Sequence, residues 1–347
     1  MSHQAAVYRG DRTFSIETVE TRPPGPEEVQ IDVAYCGICG TDLHIFLGHM
    51  DGRVGFERTI GHEMSGVIAA VGRNVTGLQT GQHVVVRPLD HCGNCPACTA
   101  GHSHICHALK FIGIDTDGAF QQKWNVPAHT IHVLPAGLTL CHAALIEPLA
   151  VALHAVDRGR VAPGEDVLVI GGGPIGLVVA MAARHAGANV RVAEINEHRR
   201  AIAQQFGFAT MDPHATDAAS AIHEQSGGKG ADVVFEVSGS QPGIDLMTAS
   251  AATRGRIVMV AIHATSPQID MFQFFWRELD LIGARVYLPA DFDRAMGMLA
   301  EGVVDCDAFI TDIQALCDIQ AAFKSLTENP NAMKSMIRIG PPHISPG

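Results

Sequence analysis

The stretch "VLVIGGGPIGLVVAMAARHAGANVRVAEI", residues 167 to 195, limits what this chain can fold into more tightly than any other segment. An apolar β-type run meets a G-x-G-x-x-G turn at Gly171, Gly173 and Gly176, then a helix of small residues and a second apolar strand. Gly171 permits a tight turn, Gly173 lets a pyrophosphate approach the backbone, and Gly176 lets helix and strand pack closely. Pro174 and Ile175 open the helix, whose free N–H groups would receive the phosphates. Glu194 follows Gly176 by eighteen residues, where a carboxylate accepts hydrogen bonds from a ribose and repels a 2′-phosphate. The cofactor expected on this ground is NAD rather than NADP. Arg199 and Arg200 come just after and could pair with such a phosphate; the plainer reading is a solvated helix start with one of them against the adenine, and Arg199 is counted with the cofactor site.

The rest of the chain divides around this unit. Residues 5 to 145 carry β-branched runs such as "EEVQIDVAYCGICG", "GVIAAVG" and "GQHVVVRP", punctuated by Gly and Pro, which predicts a small irregular β domain. "ALIEPLAVALHAV" has helical spacing. From 166 onward strands and helices alternate through "NVRVAEI", "ADVVFEVSG" and "RGRIVMVAI", which implies a parallel sheet covered on both faces. "ELDLIGARVY" reads as its last strand, and "DFDRAMGMLAEG" and "IQAAFKSLTEN" read as amphipathic helices before a strand-like "KSMIRIG". The fold class expected is α/β. With a net charge of -12 and 5% aromatic residues, the chain suits neither a nucleic acid nor an anionic membrane. Its N-terminus lacks the pattern of a secretory signal, and its most apolar run is too short to span a bilayer. A cytoplasmic protein is expected.

"HCGNCPACTAGHSHIC" places Cys92, Cys95, Cys98 and Cys106 at C-x2-C-x2-C-x7-C. Nine cysteines in 347 residues do not suggest a disulfide framework. Four thiolates on one loop can enclose Zn²⁺ with no position left open, a structural site. An iron–sulfur cluster also takes four cysteines, but nothing else here suggests electron transfer. A second set is dispersed: Cys36, Cys39 and His44 in "YCGICGTDLH", His62 and Glu63 in "GHE", and Glu147 in "IEPLA". Spacing alone leaves these open between a catalytic metal and ordinary packing residues.

Taken together, "CGICGTDLH", "GHEMSG", the four-Cys loop, "ALIEPLAVALHAV", "GGGPIG" and "FEVSGS" resemble the zinc-containing medium-chain alcohol dehydrogenases over essentially the whole chain. The resemblance implies a GroES-like irregular β-barrel catalytic domain over residues 1–148, rejoined by 286–347, and a Rossmann NAD-binding domain over 149–285. It implies one catalytic and one structural Zn²⁺. Cys39, His62 and Glu147 would ligate the catalytic ion, Glu63 would ligate it or back it up, and Cys36 would not be a ligand. Thr41, whose ordinary role would be a helix cap, and His44 match a proton relay. Ser238, Val260, Ala261 and Ile262 match the rim of the NAD site.

By the same resemblance, "EPL" sets the chain nearest the sorbitol, butanediol and threonine dehydrogenases. A secondary alcohol (a polyol or vicinal diol) would bind zinc, lose its proton through Thr41, a cofactor ribose hydroxyl and His44, and release hydride to the nicotinamide. L-threonine 3-dehydrogenase-like activity is the alternative, and an inactive zinc- and NAD-binding structural protein is a third reading. Ile45 replaces a tyrosine of animal sorbitol dehydrogenases. Arg285 stands one position away from their polyol-binding arginine, a shift expected to turn it to the other face of the strand. Gln82 and His83 have no functional reading. A homo-oligomer is expected, a tetramer or else a dimer, with no membrane or nucleic-acid partner.

Overall fold

A computed structural model describes residues 1–215, 217–263, 265–328 and 331–340. The chain divides into two units: Met1–Glu147 with the described residues of Leu288–Gly347, and Pro148–Tyr287.

In the first unit the strand Glu28–Gly37 is central. Glu63–Val71 and Lys334–Arg338 flank it, both antiparallel, and Lys123–Pro127 pairs with its first half. The sheet continues through His83–Val86 to Ile131–Val133 on one side and to Ile310–Ala315 on the other. A second sheet joins Ser2–Tyr8 to Phe14–Glu20 and Arg58–Thr59. Phe14, Phe46 and Phe323 pack with ring centroids 4.7–5.9 Å apart, so the helix Ile319–Glu328 buries its apolar face against the N-terminal strands. "GQHVVV" also gains a local account: Gln82 Oε1 accepts from Gln79 N at 2.8 Å and closes the turn into His83–Val86.

The second unit is a six-stranded parallel sheet. Its order is Ala209–Met211, Asn189–Ala193, Asp166–Ile170, Ala231–Glu236, Ala251–Met259, Asp280–Gly283. Reversal of strand order beside Asp166–Ile170 is the doubly wound pattern, in which ligands meet the carboxyl ends of the strands. Its apolar strands are buried because helices cover them: Leu168, Val234 and Ile257 lie at 0% exposure beside Ile244 and Met247 of the helix Gln241–Ser250.

Two elements differ from the sequence reading. The last strand stops at Gly283 instead of running to Tyr287. Beyond it Val286 has φ 48°, a left-handed conformation that β-branched residues rarely adopt and that breaks the ladder. Arg285 therefore lies outside the strand, and the face-inversion argument drawn from strand periodicity does not apply to it. The helix Met271–Arg277 has no counterpart in the sequence pattern, because the apolar residues of "MFQFFWR" surround Gln273 and leave no helical stripe. Among the described residues, no helix is long and apolar enough to cross a membrane.

Candidate active site

Cys39, His62 and Glu63 arrive from different local structures and offer ligand atoms within 4.8 Å of one another. Cys39 caps the short helix Gly40–Phe46, and its backbone N–H donates to Asp42 Oδ2 at 2.9 Å. Thr41 is thus inside the first turn rather than the cap. His62 stands just before the strand that Glu63 opens, with the Phe111 ring edge-on at 5.1 Å. Cys36 is fully buried in the strand Glu28–Gly37 and is no part of the trio.

Charge at this site is concentrated and buried. Asp42 Oδ1 stands 3.5 Å from His62 Nδ1, an ion-pair distance rather than a formed hydrogen bond. Burial pushes the Cys39 thiol up, and the Glu63 charge pushes it further, against the pull of a hydrogen bond with His62. Burial alone would lower His62, but the facing Asp42 carboxylate and the neighbouring Cys39 thiol carry it well above the usual imidazole value. Such a set fits a divalent cation, which takes a thiolate, a neutral imidazole and a carboxylate and releases their protons. Orphaned Glu63 Oε1 fits it too, since a buried carboxylate oxygen without a partner is costly. Asp42 at Nδ1 leaves Nε2 of His62 for a metal, the usual carboxylate–histidine arrangement.

Glu147 stands apart from this trio. It opens the helix Ile146–Arg158, is 5% exposed, and its charge acts on Lys334. Lys334 pairs with Glu63 Oε2. His44 is exposed on the same short helix as Cys39, with Nδ1 3.1 Å from His49 Nδ1.

The four-Cys loop is gathered as well. Its sulfurs lie within 4.8 Å of one another, with Cys92–Cys106 at 3.4 Å and Cys95–Cys106 at 3.8 Å. Tetrahedral Zn–S bonds of about 2.3 Å place sulfurs about 3.8 Å apart, so the set fits zinc. Backbone N–H groups of His107 and Cys98 pull Cys95 down to about 6, while burial pushes Cys98 up to about 12.

In the second unit the glycine turn is built as a cradle. A Cβ at Gly176 would stand 1.8 Å from the Gly171 carbonyl, and Gly171 itself has φ 102°. The helix Pro174–His185 has Gly173 as cap, and no side chain occupies its first N–H groups, which suits a pyrophosphate. Ile175 lies in its first turn. Glu194 is 6% exposed and accepts from Gly172 N at 2.6 Å and Asn196 N at 2.8 Å. A carboxylate has about four acceptor sites, so capacity for ribose hydroxyls is left. The Arg199 guanidinium lies toward Gly173, whose Cβ would stand 3.5 Å from Nη1; Arg200 is held by the Glu194 and Ile195 carbonyls.

Glu236 organises the neighbouring loops. Oε1 accepts from Ser238 N, Ser238 Oγ and Gly239 N, Oε2 faces His263 at 3.2 Å, and its carbonyl accepts from Val260 N and Ala261 N. Ile262 is 79% exposed. Asp42, Lys334, Glu236 and His263 all escaped the sequence reading. A signal existed for one of them: Asp42 sits inside the cysteine–histidine motif.

The comparisons agree with this geometry. Residues 25–136 match the alcohol dehydrogenase GroES-like domain, and residues 174–301 match the zinc-binding dehydrogenase domain. The chain belongs to the zinc-containing medium-chain alcohol dehydrogenases. It is 52% identical to 2-dehydro-3-deoxy-L-galactonate 5-dehydrogenase of Pseudoalteromonas atlantica, covering 96% of this chain and 98% of that one. It is 36% identical to L-galactonate-5-dehydrogenase of Escherichia coli, covering 83% and 84%. The crystal structure of 2R,3R-butanediol dehydrogenase from Bacillus subtilis superposes with a TM-score of 0.90 at 30% identity, covering 97% and 99%. The protein is a GroES-like and Rossmann α/β enzyme, an oxidoreductase of the polyol branch that oxidises a secondary alcohol to a ketone by hydride transfer.

Proposed function

We propose that this dehydrogenase oxidises the C5 hydroxyl of a six-carbon sugar acid, using NAD and a zinc ion held by Cys39, His62 and a carboxylate of Glu63 or Glu147. The observation that carries the reading is the convergence of the Cys39, His62 and Glu63 ligand atoms in one buried cluster. Two relatives named for galactonate-type substrates support the sugar acid over a simple diol. Bound zinc would supply a Lewis acid for the alcohol, and NAD would supply the hydride acceptor. The protein's own residues orient these groups: Asp42 fixes Cys39 and His62, the Gly171–Gly176 turn receives the pyrophosphate, and Glu194 selects NAD. Thr41 and His44 carry the hydroxyl proton outward, with His49 hydrogen-bonded beyond His44. The second zinc, on Cys92, Cys95, Cys98 and Cys106, holds its loop.

The homo-oligomer expected from the sequence finds support in Phe272, Phe275 and Trp276 of the helix Met271–Arg277, exposed at 61%, 76% and 70%. NAD reduction measured over L-galactonate, its 2-dehydro-3-deoxy derivative, sorbitol, 2,3-butanediol and L-threonine tests the substrate. A kcat/KM at least about tenfold higher for a sugar acid is expected; a preference for sorbitol, butanediol or L-threonine would refute it.

A further inference from the structure

Glu236 is a carboxylate with no exposed surface at the carboxyl end of the strand Ala231–Glu236. A buried charge is costly unless its oxygens are hydrogen-bonded or paired. Oε1 meets that need locally: it accepts from Ser238 N at 2.9 Å, Ser238 Oγ at 2.5 Å and Gly239 N at 3.0 Å. Oε2 makes no hydrogen bond among the described residues. Facing it at 3.2 Å is His263 Nε2, a buried atom that also has no formed hydrogen bond. An imidazole N–H turned toward Oε2 offsets its charge, so each atom depends on the other.

The segments that carry this pair approach each other by further contacts. The Glu236 carbonyl accepts from Val260 N at 3.0 Å and Ala261 N at 3.1 Å. A Cβ at Gly239 would stand 3.3 Å from the Ile262 carbonyl oxygen and 3.6 Å from the Ala261 Cβ. Glu236 thus ties residues 237–240, which follow its own strand, to residues 260–263, which follow the strand Ala251–Met259. His263 is the far end of that tie, and Ile262 beside it stands in the open.

Sheet order says which half of a dinucleotide these segments meet. Glu194, the candidate for the adenosine ribose, follows Asn189–Ala193 on one side of Asp166–Ile170. The strands Ala231–Glu236 and Ala251–Met259 lie on the other side. A dinucleotide crosses this point with its pyrophosphate on the glycine turn, so its second half lies over the ends of these two strands. We propose that His263 is a positioning residue, which through Glu236 holds residues 260–263 in place for the nicotinamide half of the cofactor and has no part in binding the adenosine half. It rests on the reading that the Gly171–Gly176 turn and Glu194 hold NAD.

The test uses full-length, zinc-loaded enzyme as wild type, His263→Ala, His263→Leu and His263→Gln. Dissociation constants are measured by titration calorimetry for NADH and for ADP-ribose, which is the same molecule without the nicotinamide. Loss of a buried hydrogen bond to a charged group predicts NADH bound about tenfold more weakly by His263→Ala, with ADP-ribose changed less than about twofold. His263→Gln, whose amide nitrogen can donate to Oε2, should bring NADH back to within about threefold of wild type. Wild-type NADH affinity in His263→Ala overturns the proposal. An equal loss for NADH and ADP-ribose, as a loosened fold would produce, overturns it too, and so does a His263→Gln enzyme no tighter than His263→Ala. If His263→Ala does not fold, His263→Leu, which fills the space without a donor, is held to the same limits. A wild-type enzyme that binds neither NADH nor ADP-ribose would instead overturn the cofactor reading beneath it.

Discussion

Asp42 has no exposed surface and addresses two ligand candidates at once, the Cys39 backbone through one oxygen and the His62 ring through the other. One carboxylate therefore fixes the loop and the imidazole together, and the orientation of the site depends on it. On the solvent side the proposed relay residue is His44. Burial, and then the facing charge of His49, hold it below the ordinary imidazole value. A relay acceptor works only when neutral, so activity through His44 rises with pH as it loses its proton, with its midpoint below the usual imidazole value. In a His49→Ala enzyme the facing charge is gone, and the acid limb of kcat/KM should move to higher pH. A limb that stays in place would detach His44 from the relay. At this scale the sequence carried the ligand types, because Cys, His and Glu are rare enough to stand out. It did not carry Lys334, whose meaning depends on a strand that returns 271 residues after Glu63 to lie next to Gly37.

Among elements, the glycine turn was fully legible because its constraints are local: the Gly171–Gly176 contact joins residues five apart in the chain. The end of the last strand was not, since the apolar run continues through Val286 and only its left-handed backbone stops the ladder at Gly283. Nor was the helix Met271–Arg277 legible, because its exposed aromatic residues blur any amphipathic pattern. Asp280–Gly283 is the terminal strand of its sheet, and an edge strand invites another chain. A second copy related by a two-fold axis would extend the sheet and cover Phe275 and Trp276. Replacing both with lysine should lower the oligomeric state measured by light scattering while leaving each protomer folded. An unchanged mass would place the interface elsewhere.

For the molecule as a whole, the alternation of strands and helices announced the parallel sheet. The irregular β unit was legible only as a class, because its pairings join segments about 300 residues apart, such as Tyr35 with Arg338. The proposed function divides labour between two metals, a closed four-thiolate set that would shape a loop and an open mixed set that would meet the alcohol. Metal content after exhaustive dialysis, in wild type and in Cys39→Ala, examines that division most directly. Two zincs per chain are expected in the wild type and one in the variant, with circular dichroism unchanged and turnover abolished. A wild-type chain holding a single zinc, or a Cys39→Ala chain that keeps both and still turns over, would contradict it.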